Sequence, residues 1–108
     1  MTYLQIINTL TIEFEWDEIK NQINIRKHGL DFKDVSEMFH YPMLVLADTR
    51  QDYAEDRWIG IGSLKDTTVV VIFTEPNEKR IRIISARKAT RYEKEKYQEE
   101  IANQLEKD

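Results

Sequence analysis

Three strand-like segments with very short connections constrain the fold of this chain more than any other feature. Residues 58–64 (WIGIGSL), 67–74 (TTVVVIFT) and 79–86 are rich in apolar and β-branched side chains. Turns are predicted at residues 65–66 and 76–78, the second from its proline and asparagine. Because strands joined this closely pair with their neighbours, the segments predict an antiparallel meander.

Helical patterns precede the meander. Asp17 is placed to cap a helix that runs to about Lys27, and Gly29 is placed to end it in a left-handed conformation. Asp31 can begin a second helix, which residues 40–42 (HYP) end because the residue before proline resists helical geometry. The predicted core-facing residues are Trp16, Ile19 and Ile23 for the first helix and Phe32, Val35, Met38 and Phe39 for the second.

Two further strands and a closing helix complete the predicted elements. Residues 11–16 alternate polar and apolar side chains, and residues 43–47 (MLVLA) have the composition of a buried strand. Thr90 or Ser85 can cap the last helix, which is predicted to run to about residue 105. Its expected apolar face contains Tyr92, Tyr97, Ile101 and Leu105.

These elements predict an α+β fold in a single domain over residues 1–108. We expect an antiparallel sheet, made of the meander plus one or two further strands, with two N-terminal helices and one C-terminal helix on one face. The chain has no cysteine, which excludes disulfides and a thiol nucleophile and is compatible with a reducing cytoplasm. Neither a membrane span nor a signal peptide is apparent, so we expect a cytoplasmic protein without membrane contact.

A basic segment stands out in an otherwise acidic chain. The formal net charge is -4, yet residues 79–96 hold eight Lys and Arg against two Glu. A local positive cluster of this kind indicates an anion-binding surface rather than a general aid to solubility. Phosphates are the predicted anions, and RNA or DNA is their obvious extended source.

The last predicted strand carries two arginines suited to a phosphate, because a guanidinium forms two parallel hydrogen bonds with it and stays protonated. Strict alternation places Arg82 and Ala86 on one face of the strand and Ser85 and Arg87 on the other. A site shared by Arg82 and Arg87 therefore requires the strand to bulge or end between them. The alternative is a surface strand whose arginines pair with the many acidic residues.

Other candidate groups come from separate parts of the chain. His28, at the end of the first helix, can transfer a proton near neutral pH, although a basic residue there also complements the helix dipole. Glu55, close to Arg57, has three alternative roles: it forms an ion pair with the arginine, it acts as a general base, or it belongs to a solvated turn. Glu93 and Tyr97 share a face of the last helix, where Tyr97 has packing as its simpler role. No second ligand accompanies either histidine at metal-binding spacing, so we expect no metal and no other cofactor.

Three ordered blocks of the sequence resemble the signature blocks of the BrnT toxins, the toxin halves of bacterial type II toxin–antitoxin pairs. The blocks are FEWDEIKNQINIRKHGLDFKDVSEMF, EDRWIGIG and RIRIISARKATRYEKEKY, and the similarity runs from about Phe14 to Tyr97. Residues 1–13 lie outside it and are interpreted as an N-terminal extension. The resemblance implies a RelE-like ribonuclease fold, RNA cleavage that arrests translation, and a BrnA-like ribbon-helix-helix antitoxin as partner. It also implies a 2:2 hetero-oligomer that represses its own operator, with the DNA contacted mainly through the antitoxin.

The resemblance and the chemistry of RNA cleavage together predict a site. RNA carries its own nucleophile, the 2′-OH, so an enzyme needs cations for the crowded phosphate and groups that move protons. The predicted catalytic residues are Arg82 and Arg87 for the phosphate, His28 for proton transfer, and Glu55, Glu93 and Tyr97 as its alternatives. The predicted phosphate-binding residues are Lys27, Arg57, Ser85, Lys88 and Arg91. The competing functions are a non-catalytic nucleic-acid-binding module and an inactive toxin descendant that acts as a corepressor.

Overall fold

The predicted meander lies within a six-stranded sheet of order β1-β3-β4-β5-β6-β2 in the computed structural model, which describes residues 3–5 and 11–105. The strands are β1 (Tyr3–Gln5), β2 (Glu13–Trp16), β3 (Met43–Ala47), β4 (Trp58–Leu64), β5 (Thr67–Asn77) and β6 (Arg80–Lys88). The helices are α1 (Glu18–His28), α2 (Phe32–Val35), a 3₁₀ helix (Ser36–His40) and α3 (Arg91–Leu105). The α+β class is confirmed. The sheet contains three strands in addition to the meander, where one or two were expected.

The meander itself follows the predicted order, and β4, β5 and β6 pair antiparallel. Its first turn is at residues 65–66, where Lys65 takes a positive φ of 56°. The second turn differs from the prediction, because β5 continues through Pro76 to Asn77 and the chain turns at residues 78–79. Pro76 lies where the pairing of β5 with β6 is irregular, so its missing N–H breaks no regular ladder.

The edge strands come from the amino-terminal part of the chain. β1 pairs antiparallel with β3, and β2 pairs parallel with β6, which makes the sheet mixed. Within the segment interpreted as an N-terminal extension, Tyr3–Gln5 form β1, and β2 begins at Glu13. Neither edge pairing is local in sequence, which is why strand composition alone did not predict them.

One face of the sheet carries the main core, where α2 and the 3₁₀ helix pack. The predicted stripe of the second helix is confirmed, since Phe32, Val35, Met38 and Phe39 are all fully buried. The Phe39 ring meets that of Phe73 edge-on, with 5.0 Å between centroids.

Helix α1 forms where expected, between the Asp17 cap and left-handed Gly29 (φ 71°). Of its three predicted core-facing residues, Trp16 is partly buried against the main core, but the prediction is wrong for Ile19 and Ile23. Ile19 and Ile23 are exposed at 74% and 48%, while two asparagines are buried in their place. These asparagines satisfy backbone groups of neighbouring segments, which apolar periodicity does not reveal. The bonds are Phe32 N to Asn21 Oδ1, Ala86 N to Asn24 Oδ1, and Asn24 Nδ2 to the Leu30 carbonyl.

Helix α3 lies on the opposite face of the sheet, so the expectation that all helices cover one face is wrong. It contacts β1, β3 and β4, and Tyr97 packs against a second cluster made of Leu44, Ile61 and Val70. No residue of α3 is buried, and Tyr92 and Leu105 are exposed despite their predicted place on its apolar face. The outer faces of β5 and β6 lie beside α3 and form a groove. Within the described residues, no helix is long and apolar enough to cross a membrane.

Candidate functional site

A β-bulge in β6 decides the geometry of the basic strand. Ser85 pairs with Ile72 and Ile83 pairs with Phe73, so Ile84 is the extra residue of β6 at this point. On the two sides of the bulge, Arg82 is opposite Thr74 and Arg87 is opposite Val70. Val70, Ile72 and Thr74 are every second residue of β5, so their side chains point to the same, outer face of the sheet. Their partners on β6, which are Arg87, Ser85 and Arg82, therefore lie on that face as well.

The sequence allowed Arg82 and Arg87 to share a site only if the strand bulges or ends between them, and the bulge meets this condition. Strict alternation had placed Ala86 with Arg82, but Ala86 is 1% exposed in the main core together with Ile81 and Ile83. The extra residue at Ile84 reverses the facing of every later side chain of β6. The two arginines therefore share a face, as the phosphate hypothesis requires.

A groove of about 310 Å³ opens on this outer face. Its floor is formed by strand residues, and its rim carries an imidazole, two guanidiniums and a carboxylate. The lining residues are His28, Arg50, Ile59, Val70, Ile72, Ser85, Ala86, Arg87 and Glu93. Four predicted site residues thus come together from α1, β6 and α3: His28, Ser85, Arg87 and Glu93.

His28 reaches the groove because α1 lies alongside β6. The hydrogen bond from the Ala86 backbone to Asn24 fixes the helix against the strand, one helical turn before His28. A second groove of about 200 Å³ on this side is lined by Lys20, Lys27 and again by His28 and Ser85. Lys27, which was predicted to bind phosphate, is therefore next to the main groove.

Arg87 is held by a carboxylate that also caps α3. Its Nη1 and Nη2 donate to the two carboxylate oxygens of Glu93 at 2.8 and 2.9 Å. Glu93 Oε1 also accepts from the Thr90 backbone, and Thr90 Oγ1 accepts from the Glu93 backbone, which is a capping box. The hydrogen bonds from Arg87 are the main reason why the pKa of Glu93 is lowered to about 2. They likewise raise the pKa of Arg87.

Arg50 is the groove residue that the sequence interpretation missed. Its Nε and Nη2 each donate to Asp48 at 2.8 Å, and the Asp48 carboxylate is fully buried. Tyr53 donates a further hydrogen bond to the same carboxylate at 3.2 Å. The bonds from Arg50 lower the pKa of Asp48 to about 2 against the opposing effect of burial. An aspartate directly after a buried strand was the only sequence sign of this arrangement.

Three predicted residues lie beyond the groove, although on the same side of the sheet. Arg82 is paired with Glu15 at 2.8 Å and approaches Glu55 at 3.8 Å. Arg57 lies over the Tyr53 ring, 4.2 Å from its centroid. Glu55 and Arg57 both line a separate cavity of about 510 Å³ beside Trp58.

The remaining predicted residues are placed elsewhere. Tyr97 donates to the Pro42 carbonyl at 3.2 Å and lines a different cavity, and burial raises its pKa. Arg91 is 93% exposed and paired with Glu95 one turn along α3. Lys88 is exposed at the end of β6, where it pairs with Val69. Because Val69 faces the main core, Lys88 points to the other side of the sheet from the groove.

The comparison with protein families decides what kind of chain this is. Residues 16–93 match the family described as the ribonuclease toxin BrnT of type II toxin–antitoxin systems. The chain belongs to the BrnT toxin family. The matched segment contains the histidine of the groove, His28, and its two arginines, Arg50 and Arg87. The resemblance found in the three sequence blocks is thereby confirmed.

A solved BrnT structure has the same fold as this BrnT-family chain. The Brucella abortus ribonuclease toxin BrnT is 34% identical, with a TM-score of 0.59, and the match covers 75% of this chain and 100% of that one. A comparison with curated proteins finds no match. Family membership makes RNA the substrate class and an antitoxin the partner class.

Proposed function

We propose that this chain is an endoribonuclease that cleaves RNA through the 2′-OH at the groove on the outer face of β6. The observation that carries the proposal is the bulge at Ile84, since it brings Ser85 and Arg87 to the same surface as His28. A groove with a guanidinium, a hydroxyl and an imidazole matches the needs of phosphodiester transesterification.

The reaction proceeds by attack of the 2′-oxygen on phosphorus and departure of the 5′-oxygen. The 2′-OH loses a proton, the P–O5′ bond breaks, and the 5′-oxygen gains a proton, which leaves a 2′,3′-cyclic phosphate and a 5′-hydroxyl. Arg87 stabilises the charge that develops on the phosphorane oxygens, and Ser85 orients one of them. RNA supplies the nucleophile, so this sequence of steps requires no metal.

His28 is the proposed proton-transfer group of the groove. The competing carboxylate, Glu93, is a weak base because its pKa is about 2 and its oxygens are bonded to Arg87 and Thr90. Its proposed role is to hold Arg87 in place. Tyr97 is bonded to Pro42 outside the groove, and Glu55 is near Arg82 instead. Lys27, Arg57 and Arg82 are proposed to guide the flanking RNA.

The test of the proposed chemistry is incubation of the purified, antitoxin-free chain with RNA in excess EDTA, followed by analysis of the new ends. We expect cleavage with 2′,3′-cyclic phosphate or 3′-phosphate ends, and no cleavage at a position with a 2′-O-methyl group. Salt-sensitive binding that leaves the RNA intact would instead identify a non-catalytic binding module. Loss of cleavage in EDTA would reject the metal-independent reaction.

We further propose that a BrnA-like ribbon-helix-helix antitoxin neutralises this chain in a 2:2 complex by covering the groove. The chain is acidic overall, with a net charge of -4, so operator DNA should be contacted mainly by the antitoxin. Induction of the chain alone should arrest bacterial growth, and co-induction of the antitoxin should restore it. Tight operator binding by the isolated toxin would contradict the division of roles. An inactive descendant that only corepresses would leave growth unchanged.

A further inference from the structure

Two guanidiniums, each fixed by its own carboxylate, face the same groove. Arg87 is fixed by Glu93 on one side, and Arg50 is fixed by Asp48 on the other. The two arginines are close enough for the charge of Arg50 to lower the pKa of Arg87, against the larger raising effect of Glu93. Like charges brought together in this way are stabilised when an anion lies between them.

The geometry of Arg50 leaves part of its guanidinium available. Asp48 occupies the Nε and Nη2 edge, while the side chain as a whole is 66% exposed. The two hydrogen bonds to Asp48 leave Arg50 Nη1 unused, although the Tyr53 hydroxyl is also next to the guanidinium. A guanidinium held along one edge can present its other N–H groups with little loss of side-chain entropy.

The anchor is more specific than a surface ion pair. The Asp48 carboxylate is fully buried and accepts from Tyr53 as well as from both Arg50 nitrogens. The Asp48 backbone N–H is in turn bonded to the Arg57 carbonyl, which ties the loop to the start of β4. Hydrogen bonds to the buried Asp48 carboxylate thus hold Arg50 at the rim of the groove.

We infer that Arg50 is a second phosphate-binding residue of the groove, with Asp48 as its positioning residue, so that Arg50 and Arg87 together clamp one phosphodiester of the RNA strand. The inference rests on the proposed function for its substrate class. It adds a loop residue outside the basic segment at residues 79–96 to the substrate contacts.

The experiment measures binding separately from cleavage. The probe is a fluorescein-labelled RNA oligonucleotide with 2′-O-methyl sugars throughout, which binds without being cut, and its dissociation constant is measured over a range of KCl concentrations. Losing one phosphate contact on single-stranded nucleic acid lowers the slope of log K against log salt by about 0.7. We expect this decrease for Arg50→Gln, with affinity about tenfold weaker at moderate salt because a charge-assisted contact is lost.

Two further variants keep the test decisive. Asp48→Asn combined with Arg50→Gln removes both charges of the ion pair, keeps the net charge of the chain, and should show the same loss of slope. The matched control is Arg80→Gln, since Arg80 is also a guanidinium paired with carboxylates, Glu13 and Glu15, but lies outside the groove. Circular dichroism and thermal unfolding verify that each variant is folded.

The outcomes separate this inference from the proposed function. A wild-type slope in both Arg50 variants, an equal loss in Arg80→Gln, or no salt-dependent binding by the wild type overturns the inference. If the wild type binds the probe and the Arg50 variants lose slope, the inference stands even where unmodified RNA is left uncut. That last result would reject the ribonuclease proposal alone.

Discussion

Replacing Glu93 by Gln removes one charge from the groove and leaves the helix cap in place. Gln is a normal partner in a capping box, so the hydrogen bond from the Thr90 backbone survives the change. The pair with Arg87 does not survive intact, because the carboxamide offers one acceptor where the carboxylate offers two. The variant therefore isolates the contribution of the ion pair to stability.

The magnitude follows from the pKa of Glu93. A pKa lowered from 4.5 to about 2 corresponds to roughly 3 kcal/mol of stabilisation at neutral pH as an upper bound. The Arg87 side chain is 43% exposed, so solvent screens the pair, and we expect Glu93→Gln to cost about 1–2 kcal/mol. Glu93→Ala should cost about 1 kcal/mol more, because it also removes the hydrogen bond that the Thr90 backbone N–H donates to Glu93 Oε1 in the capping box.

The assay is urea unfolding of wild type and Glu93→Gln between pH 7 and pH 2. Because the pKa of Glu93 is lower in the folded state, its stabilisation is complete above 4.5 and is lost as the pH falls toward about 2. The stability difference between the two proteins should therefore fall to less than half by about pH 3. A difference that stays constant over this range, or one below about 0.3 kcal/mol at pH 7, would refute the argument.

Substitutions of the buried residues Asn24 and Gly60 test the packing, with the exposed Ile19 as a control. Asn24→Ala leaves the Ala86 N–H buried without an acceptor and should cost about 1–3 kcal/mol, whereas Ile19→Ala on the same helix should change stability by less than about 0.5 kcal/mol, because Ile19 is 74% exposed. Similar costs for both in urea unfolding would contradict the assignment of the helix face. Gly60→Ala places a methyl group against Met43 and 3.2 Å from Phe73 Cε1, so it should cost about 1–3 kcal/mol by the same measurement. An unchanged unfolding midpoint would show that the Met43 side chain moves aside freely.

Local chemistry made much of the fold predictable from sequence. Asp17 and Gly29 bound α1 as cap residues do, and Lys65 turns the chain between β4 and β5 in the predicted place. The buried face of α1 was not predictable from hydrophobic spacing, because Asn21 and Asn24 are buried by hydrogen bonds to distant backbone groups. The parallel pairing of β2 with β6 also joins segments far apart in sequence, and no local pattern encodes it.

The candidate site was predictable in its residue types and only conditionally in its geometry. Charge and chemistry pointed to His28 and Arg87, and the family resemblance added Ser85, but whether the strand bulges depends on its pairing with β5 at Ile72 and Phe73. Arg50 escaped because it belongs to a short polar connection without periodicity, and its importance arises only when Asp48 is buried. The structure supplied the contacts that connect these separate segments.

The single-turnover rate of RNA cleavage by Arg87→Ala is the most direct test of the central claim that the groove is the active site. Arg80→Ala serves as its control, because it removes an arginine of the same strand that lies outside the groove. The account predicts a fall of at least about 10²-fold for Arg87→Ala and near-wild-type rates for Arg80→Ala, with both variants folded. A folded Arg87→Ala that cleaves RNA at the wild-type rate would contradict it.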